Sequence, residues 1–434
     1  MIPKRAVWVI IASLFVLVSA GGLCLLDASA AGQVVDTHMG SHLVISANSN
    51  EEYLPSVAYN WKHREYLVVW HNTWSIGTRD IRAVRVSETG QVLTEFTVYE
   101  NATKDSAQAS VAYDPVNDRY LVVWIFDSSG SGTDWDLYGR FIPWDGPSAS
   151  LTEFNIITWT TSQWNPVLAY ARAMEEFLVV WTNTYSGGSP PAYVSAKRIY
   201  ADGSGFPSGP NVSDLTLSDA AVNYINPDLT YNLTRNEYLL VWQKVASSND
   251  IWAVRLTGDL YQLGGGPFGV AEWPDSEETP AVAACKAADQ YLVLWKSDVG
   301  TSGANYNIYG RFVTGDGNLD GGPILIDGIL SPEIRSDLDC TLSGKTYLVA
   351  YDQAYVGDHY GVIGALISYD HSIETAVEIM PASWTNDRTN PSVAGGNSNF
   401  LVVWEHEQDG TSYIDTHGRL IISDVSFMPL IVKR

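Results

Sequence analysis

The sequence predicts an all-β fold, a seven-bladed β-propeller of four-stranded antiparallel blades, and three observations carry that prediction. A short strand ending in an aromatic residue recurs seven times, at Tyr66–Trp70, Tyr120–Trp124, Phe177–Trp181, Tyr238–Trp242, Tyr291–Trp295, Tyr347–Tyr351 and Phe400–Trp404. The last residues of these copies are 54, 57, 61, 53, 56 and 53 positions apart, a period that marks an array whose units bury their faces against one another. Each period holds four short apolar segments separated by turn residues, and no segment beyond residue 30 shows a 3.6-residue apolar period, so helix should be nearly absent.

Residues 1–30 read as a signal peptide: Lys4 and Arg5 are followed by an apolar run from Ala6 to Leu26 and by the small-x-small site Ala28-Ser29-Ala30. The run is also long enough to span a bilayer as an uncleaved anchor. Cleavage after Ala30 would remove Lys4, Arg5 and Asp27 from 25 basic and 49 acidic residues, leaving 23 and 48 and a net charge of −25. Such a charge disfavours nucleic acid and anionic membranes as partners and suits a secreted or cell-surface location.

After a lead-in over residues 31–42, the propeller is expected over residues 43–421. The first strand of each unit precedes a polar loop: Leu43–Ser46, Phe96–Tyr99, Phe154–Ile157, Leu215–Leu217, Phe268–Val270, Ile324–Ile326 and Val377–Ile379. The second opens on proline in five copies, as in Pro55-Ser-Val-Ala-Tyr59, because the first residue of a strand need not donate to the ladder. The third is the Leu-Val-Val-Trp run, whose β-branched residues suit a sheet covered on both faces. Its tryptophan should fill the space between blades toward the outside of the ring. The fourth reads like Asp136-Leu-Tyr-Gly-Arg140 or Asn307-Ile-Tyr-Gly-Arg311, and its recurrent arginine should lie over an aromatic or pair with a carboxylate between blades. Residues 422–434 are a C-terminal tail or a closing strand.

Units of the form Pro-x-Val-Ala-Tyr, Tyr-Leu-Val-Val-Trp and Asp-Ile-Tyr-Gly-Arg resemble repeats of secreted bacterial propeller-like proteins, most of which lack an assigned activity. The resemblance covers nearly the whole chain after residue 30. It implies the fold and an extracytoplasmic location, and it brings no functional residues with it.

Cys285 and Cys340 occupy adjacent slots of the equivalent strand in neighbouring units. An oxidising compartment permits a bridge, yet adjacent slots point to opposite sheet faces, so two buried thiols are the favoured expectation over a disulfide. Asp316-Gly-Asn318-Leu-Asp320-Gly matches the start of an oxygen-ligand calcium loop, but it fills the glycine turn of its unit, and a plain turn with no cofactor is favoured.

The turns between second and third strands are short, whereas the loops before the second strand and after the third are long and should emerge on one face. Variable loops on a rigid scaffold are where binding resides. That face carries Trp74, Trp135, Trp159, Trp164, Trp273, Trp384, Tyr185, Tyr224 and Tyr306, aromatic residues suited to stacking on sugar rings. The same face holds Asp127, Asp134, Glu277, Asp298 and Asp387, two of which could converge as a hydrolase pair. No catalytic or cofactor motif is present. The expected function is therefore a binding module for a glycan or cell-envelope protein. A carbohydrate-active hydrolase or lyase and a structural subunit of an extracellular assembly are the alternatives.

Overall fold

The computed structural model describes residues 39–47, 50–73, 78–185, 191–207, 222–298, 306–331, 335–354, 359–381, 386–407 and 413–423. The signal segment, Trp74, Trp384, the strand expected at Leu215–Leu217 and the tail beyond residue 423 lie outside them. The described strands form six four-stranded sheets and one three-stranded sheet, all antiparallel, which are the seven blades of a β-propeller. A single 3-10 turn, Lys286–Ala288, is the only helical element described.

The innermost strands are Glu51–Asn60, Ser106–Asp114, Ser162–Ala171, Asn223–Asn232, Glu277–Cys285, Ser336–Cys340 and Arg388–Gly395. Each packs beside the innermost strands of both neighbours, and the seventh returns to the first. Blade and sequence unit are out of phase by one strand. The segment that opens each unit is the outermost strand of the preceding blade, so Val92–Tyr99 completes blade 1 and Phe154–Ile157 completes blade 2. The ring closes by the same offset. Met39–Ser46 pairs with Ile414–Ile422 and supplies the outermost strand of blade 7, which begins at Arg388.

Each repeated tryptophan is buried between blades, as expected, but on the second strand from the centre and not toward the rim. Trp181 packs with Leu121 and Val123, Trp295 with Leu239 and Val241, and Trp404 with Leu348 and Ala350. In each case the partners lie on the second strand of the preceding blade. Neighbouring sheets converge toward the hub, so the large indole fits where both faces are already dry. The repeated arginines divide into two groups. Arg85, Arg198 and Arg255 pair with Glu65, Glu176 and Glu237 within their own blades. Arg140, Arg311 and Arg419 instead donate to the carbonyls of Val98, Val270 and Ile379 on the outermost strand of the preceding blade.

The prolines of the innermost strands sit just after a bulge. In blade 1 the register slips between Tyr53 and Ser56, and the residue before the proline takes a left-handed conformation, as Leu54 does at φ 50°. Asn165, Asn226, Thr279 and Asn390 repeat this at φ 51°, 51°, 48° and 52°. Proline cannot donate and the bulge frees one more amide, which then needs an acceptor. The preceding blade supplies it: Leu54 N donates to Glu405 Oε1 (2.8 Å), Asn165 N to Gln108 Oε1 (2.7 Å) and Asn390 N to Asp352 Oδ2 (3.2 Å).

Further down the hub the same logic recurs with carboxylates. The inner edge of each blade offers unpaired amides, and Asp228 accepts from Val282 N (2.7 Å), Asp337 from Val393 N (2.8 Å) and Asp339 from Gly395 N (2.8 Å). Burial pushes these carboxyls up, to about 7, 6 and 7 respectively, and the two aspartates of blade 6 add to the rise at Asp228. Cys285 and Cys340 form a disulfide between the innermost strands of blades 5 and 6, with Cα atoms 5.5 Å apart. The expectation of free thiols is thus corrected. Neighbouring blades meet with opposite faces of equivalent sheets, so side chains on adjacent, oppositely facing slots are the ones that meet.

Two outcomes follow. Replacing both cysteines by alanine should cost about 2–4 kcal/mol in urea unfolding, the usual value of a bridge closing a loop of this order; an unchanged midpoint would show that the bridge adds nothing. Asp339→Asn keeps an acceptor for Gly395 N while removing a carboxyl whose folded pKa is raised. The wild type gains from that proton below the unfolded value and loses the gain as pH rises through about 7. At pH 8 the variant should therefore be the more stable, by on the order of 1 kcal/mol, with the difference shrinking toward pH 4. Equal destabilisation at both pH values would contradict this.

Candidate functional site

The starts of the innermost strands and the ends of the second strands lie on the long-loop face, and at the seam between blades 7 and 1 they border a shallow, open pocket of about 550 Å³. Glu51, Tyr53, Leu54, His71, Thr73 and Arg79 of blade 1 line it, with Asn390 and Glu405 of blade 7. The bulge at Leu54 opens it: the extra residue lifts the start of the innermost strand, while Pro55 returns the chain to the ladder.

The side chains lock one another. Tyr53 and His71 are cross-strand partners whose rings stack 5.6 Å apart at 27°. Tyr53 OH donates to Glu51 Oε2 (2.9 Å), and its phenol is raised to about 12, by burial first and by Glu51 second. His71 is buried, which lowers it to about 3 with a smaller push from Arg79, so its imidazole is neutral at physiological pH. Glu405 accepts from Leu54 N and from Thr389 Oγ1 (3.2 Å); burial raises its carboxyl against those bonds. Arg79 is braced by Asp105, which takes its backbone N–H (3.0 Å) and lies 3.4 Å from its guanidinium. Two buried atoms here, His71 Nδ1 and Asn390 Oδ1, have no hydrogen-bond partner among the described residues. A buried polar atom left unsatisfied costs about 1–3 kcal/mol, and both of these belong to residues that line the pocket.

The aromatic residues singled out from sequence mostly serve the blades. Trp135 is buried, packs on Trp164 (5.6 Å) and donates Nε1 to Gly132 O, while Trp164 Nε1 donates to Thr184 Oγ1 (3.0 Å). Trp273 wedges against Trp295 and Tyr309, Tyr224 against Trp242, and Tyr185 lies 6.0 Å from Tyr193. Tyr306 lies under Lys296 and Trp159 is half-buried. Among the described ones, Trp135 approaches the pocket, through the Arg79 guanidinium 5.6 Å from its ring. Caps on blade ends satisfy the same hydrophobic pattern as an open platform, which is why composition alone could not separate them.

Four of the five carboxylates of that face accept backbone amides. Asp127 accepts from the amides of Gly130 and Gly132, Asp298 from Ser276 N, Glu277 from Trp273 N and Asp387 from Tyr360 N. Asp134 lies beside Asp136, whose carboxyl is raised by burial first and by Asp134 as a lesser cause. At the glycine turn, Asp316 pairs with Arg235 (2.6 Å), Asn318 N donates to Thr314 Oγ1 (3.2 Å) and Asp320 lies 3.6 Å from His371. Among the described residues no group of three or more His, Cys, Asp or Glu is arranged to hold a metal ion.

The pocket residues escaped the sequence reading because they follow or precede the repeat without belonging to it. His71 and Glu405 directly follow Trp70 and Trp404, where other copies carry Ile125, Thr182, Gln243, Lys296 and Asp352. That slot was the available signal, since it varies in polarity while the aromatic position before it does not.

No family model matches the chain, and no curated protein matches it in sequence. Solved structures do share its fold. A protein of unknown function from Dyadobacter fermentans is 11% identical with a TM-score of 0.53, over 90% of this chain and 100% of that one. The polysaccharide lyase Uly1 is 9% identical with a TM-score of 0.53, over 88% and 91%. The intramolecular trans-sialidase from Ruminococcus gnavus is 9% identical with a TM-score of 0.46, over 90% and 100%. At these identities the likeness is one of fold. The protein is a seven-bladed β-propeller with a polar, aromatic-floored pocket on its long-loop face.

Glu405 holds the pocket floor through Leu54 N. Glu405→Ala should cost about 1–3 kcal/mol of stability by stranding that amide, whereas Glu405→Gln should cost under about 1 kcal/mol. Chemical denaturation of both variants checks it, and equal losses would refute the role.

Proposed function

We propose that the protein is an extracytoplasmic carbohydrate-binding propeller whose site is the pocket over the blade 7–blade 1 seam. The observation that carries the reading is the Tyr53–His71 ring pair with the polar side chains of Glu51, Arg79, Asn390 and Glu405 gathered around one open pocket. A sugar offers the complementary surface: an apolar C–H face for the rings and hydroxyls that both donate and accept. The leading segment at residues 1–30 supports an extracytoplasmic location, and among the described residues no helix is long and apolar enough to cross a membrane.

Charge narrows the ligand class. Glu51 and Glu405 present carboxylate acceptors, Arg79 is shared with Asp105, and the whole chain carries a net charge of −24. A uronate or sialate would meet that field unfavourably, so neutral and amino sugars are favoured. The polysaccharide lyase Uly1, which shares the fold, acts on a polysaccharide by its name, which is compatible with a sugar ligand.

Titration calorimetry against neutral, amino and acidic oligosaccharides tests this. Binding should favour the neutral or amino sugars and weaken at least about tenfold in Tyr53→Ala and in Asn390→Ala, the loss expected when a stacked ring or a buried bond is removed. Binding unchanged in both variants would remove the pocket from the reading. Product release during the same incubations would favour a hydrolase or lyase instead.

A further inference from the structure

Three imidazoles meet where the ring is closed. His42 lies on the closing strand Met39–Ser46, His406 on Asn399–Glu407 and His417 on Ile414–Ile422. His42 Nε2 and His417 Nδ1 are 2.8 Å apart, His406 and His417 stack with centroids 4.1 Å apart at 13°, and His42 lies over Trp404 at 5.8 Å. His406 and His417 are buried and His42 is half-buried. Stacked rings aim their lone pairs within parallel planes, so they do not converge on one ion. A hydrogen bond between two imidazoles requires at least one of them to be neutral, because each ring must supply a donor or an acceptor in turn.

We propose that this histidine cluster makes closure of the propeller acid-sensitive, so that mild acid loosens the N-terminal strand Met39–Ser46 from blade 7 while the seven inner strands stay folded. Among the described residues, the closing strand is the one strand of blade 7 with no short connection to another strand of that blade. It is held by its ladder to Ile414–Ile422 and by Ser46, which donates to Glu52 (2.6 Å) and Glu95 (3.1 Å). A second proton in the cluster breaks the His42–His417 bond and sets like charges against each other where solvent is excluded.

The surrounding charges deepen the effect. Arg419 is the ladder partner of His42, and Arg388 comes from the innermost strand of the blade; both, together with burial, lower His42, and burial with His406, His42 and Arg388 lowers His417 to about 3. Asp415 stands opposite His406 in the ladder, and Asp352 faces in from blade 6, where it takes Asn390 N. The sign follows. A histidine whose pKa is depressed in the closed ring takes its proton when the strand is released, so closure weakens as pH falls below about 6.5. Glu52 works in the opposite direction over this window, because burial raises it to about 7 and its protonated form is the one the closed ring favours. Comparison of variants, not the pH profile alone, therefore isolates the histidines.

Hydrogen exchange of the full chain, corrected for intrinsic rates, tests the proposal at about pH 7.5 and about pH 5. In Glu52→Gln, which removes the opposing carboxyl, protection over Met39–Ser46 should fall at least about tenfold on acidification, while the innermost strand Glu51–Asn60 keeps its protection. Adding His42→Gln, which keeps an amide able to bond His417, or independently His417→Gln, to that background should cut the acid loss over Met39–Ser46 at least about threefold. An undiminished loss after both additions, or no loss in Glu52→Gln, overturns the proposal. So does a rise in protection of the wild type on adding one equivalent of zinc at the higher pH, because that outcome makes the cluster a metal site.

Discussion

Closure of the ring is the constraint on which the rest depends. A blade has two apolar faces and cannot cover either by itself, so every tryptophan of the second strands needs the preceding blade, and blade 1 needs blade 7. The chain meets that demand by sending its first described strand, Met39–Ser46, to the outer edge of its last blade. The seam thus joins the two ends of the propeller without a covalent link. Trp70 fills it from blade 1 among Ala394, Leu401 and Val403, and Glu52 reaches across to Thr416 N (2.8 Å).

Polar contacts then set the spacing that packing leaves free. At four of the bulges the released backbone amide finds an acceptor on the preceding blade, in Gln108, Gln243, Asp352 or Glu405. The carboxylates of the hub perform the same service lower down. Their raised pKa values express the cost of burying charge in order to satisfy backbone edges that no ladder reaches. The site belongs to this system. At the blade 7–blade 1 seam the capping slot is filled by Glu405, the following one by His71, and there the caps leave room and unfilled hydrogen-bonding capacity.

Blade 7 therefore carries the pocket on its blade 1 side and the histidine cluster on the side of Trp404, which packs against Leu348 and Ala350 of blade 6. They involve neighbouring residues of one strand, Glu405 and His406, which point to opposite sides of blade 7 in a strand. Glu405 serves blade 1 and the pocket, and His406 serves the closing strand.

The sequence by itself determined the number of blades, the dry faces of the Leu-Val-Val-Trp strands, the scarcity of helix and the side on which long loops gather. All of these follow from residue types repeating at fixed short spacing, and strand patterning is a local property of the chain. It could not determine the phase of the repeat, because a strand at a unit boundary fits either sheet equally well by pattern. Tertiary structure assigned Leu43–Ser46 to blade 7, turned Cys285 toward Cys340, and buried Trp135 as a blade cap. Tertiary structure alone also assembled Tyr53, His71, Asn390 and Glu405. Those residues come from the two ends of the chain, and only the closing of the ring makes them neighbours.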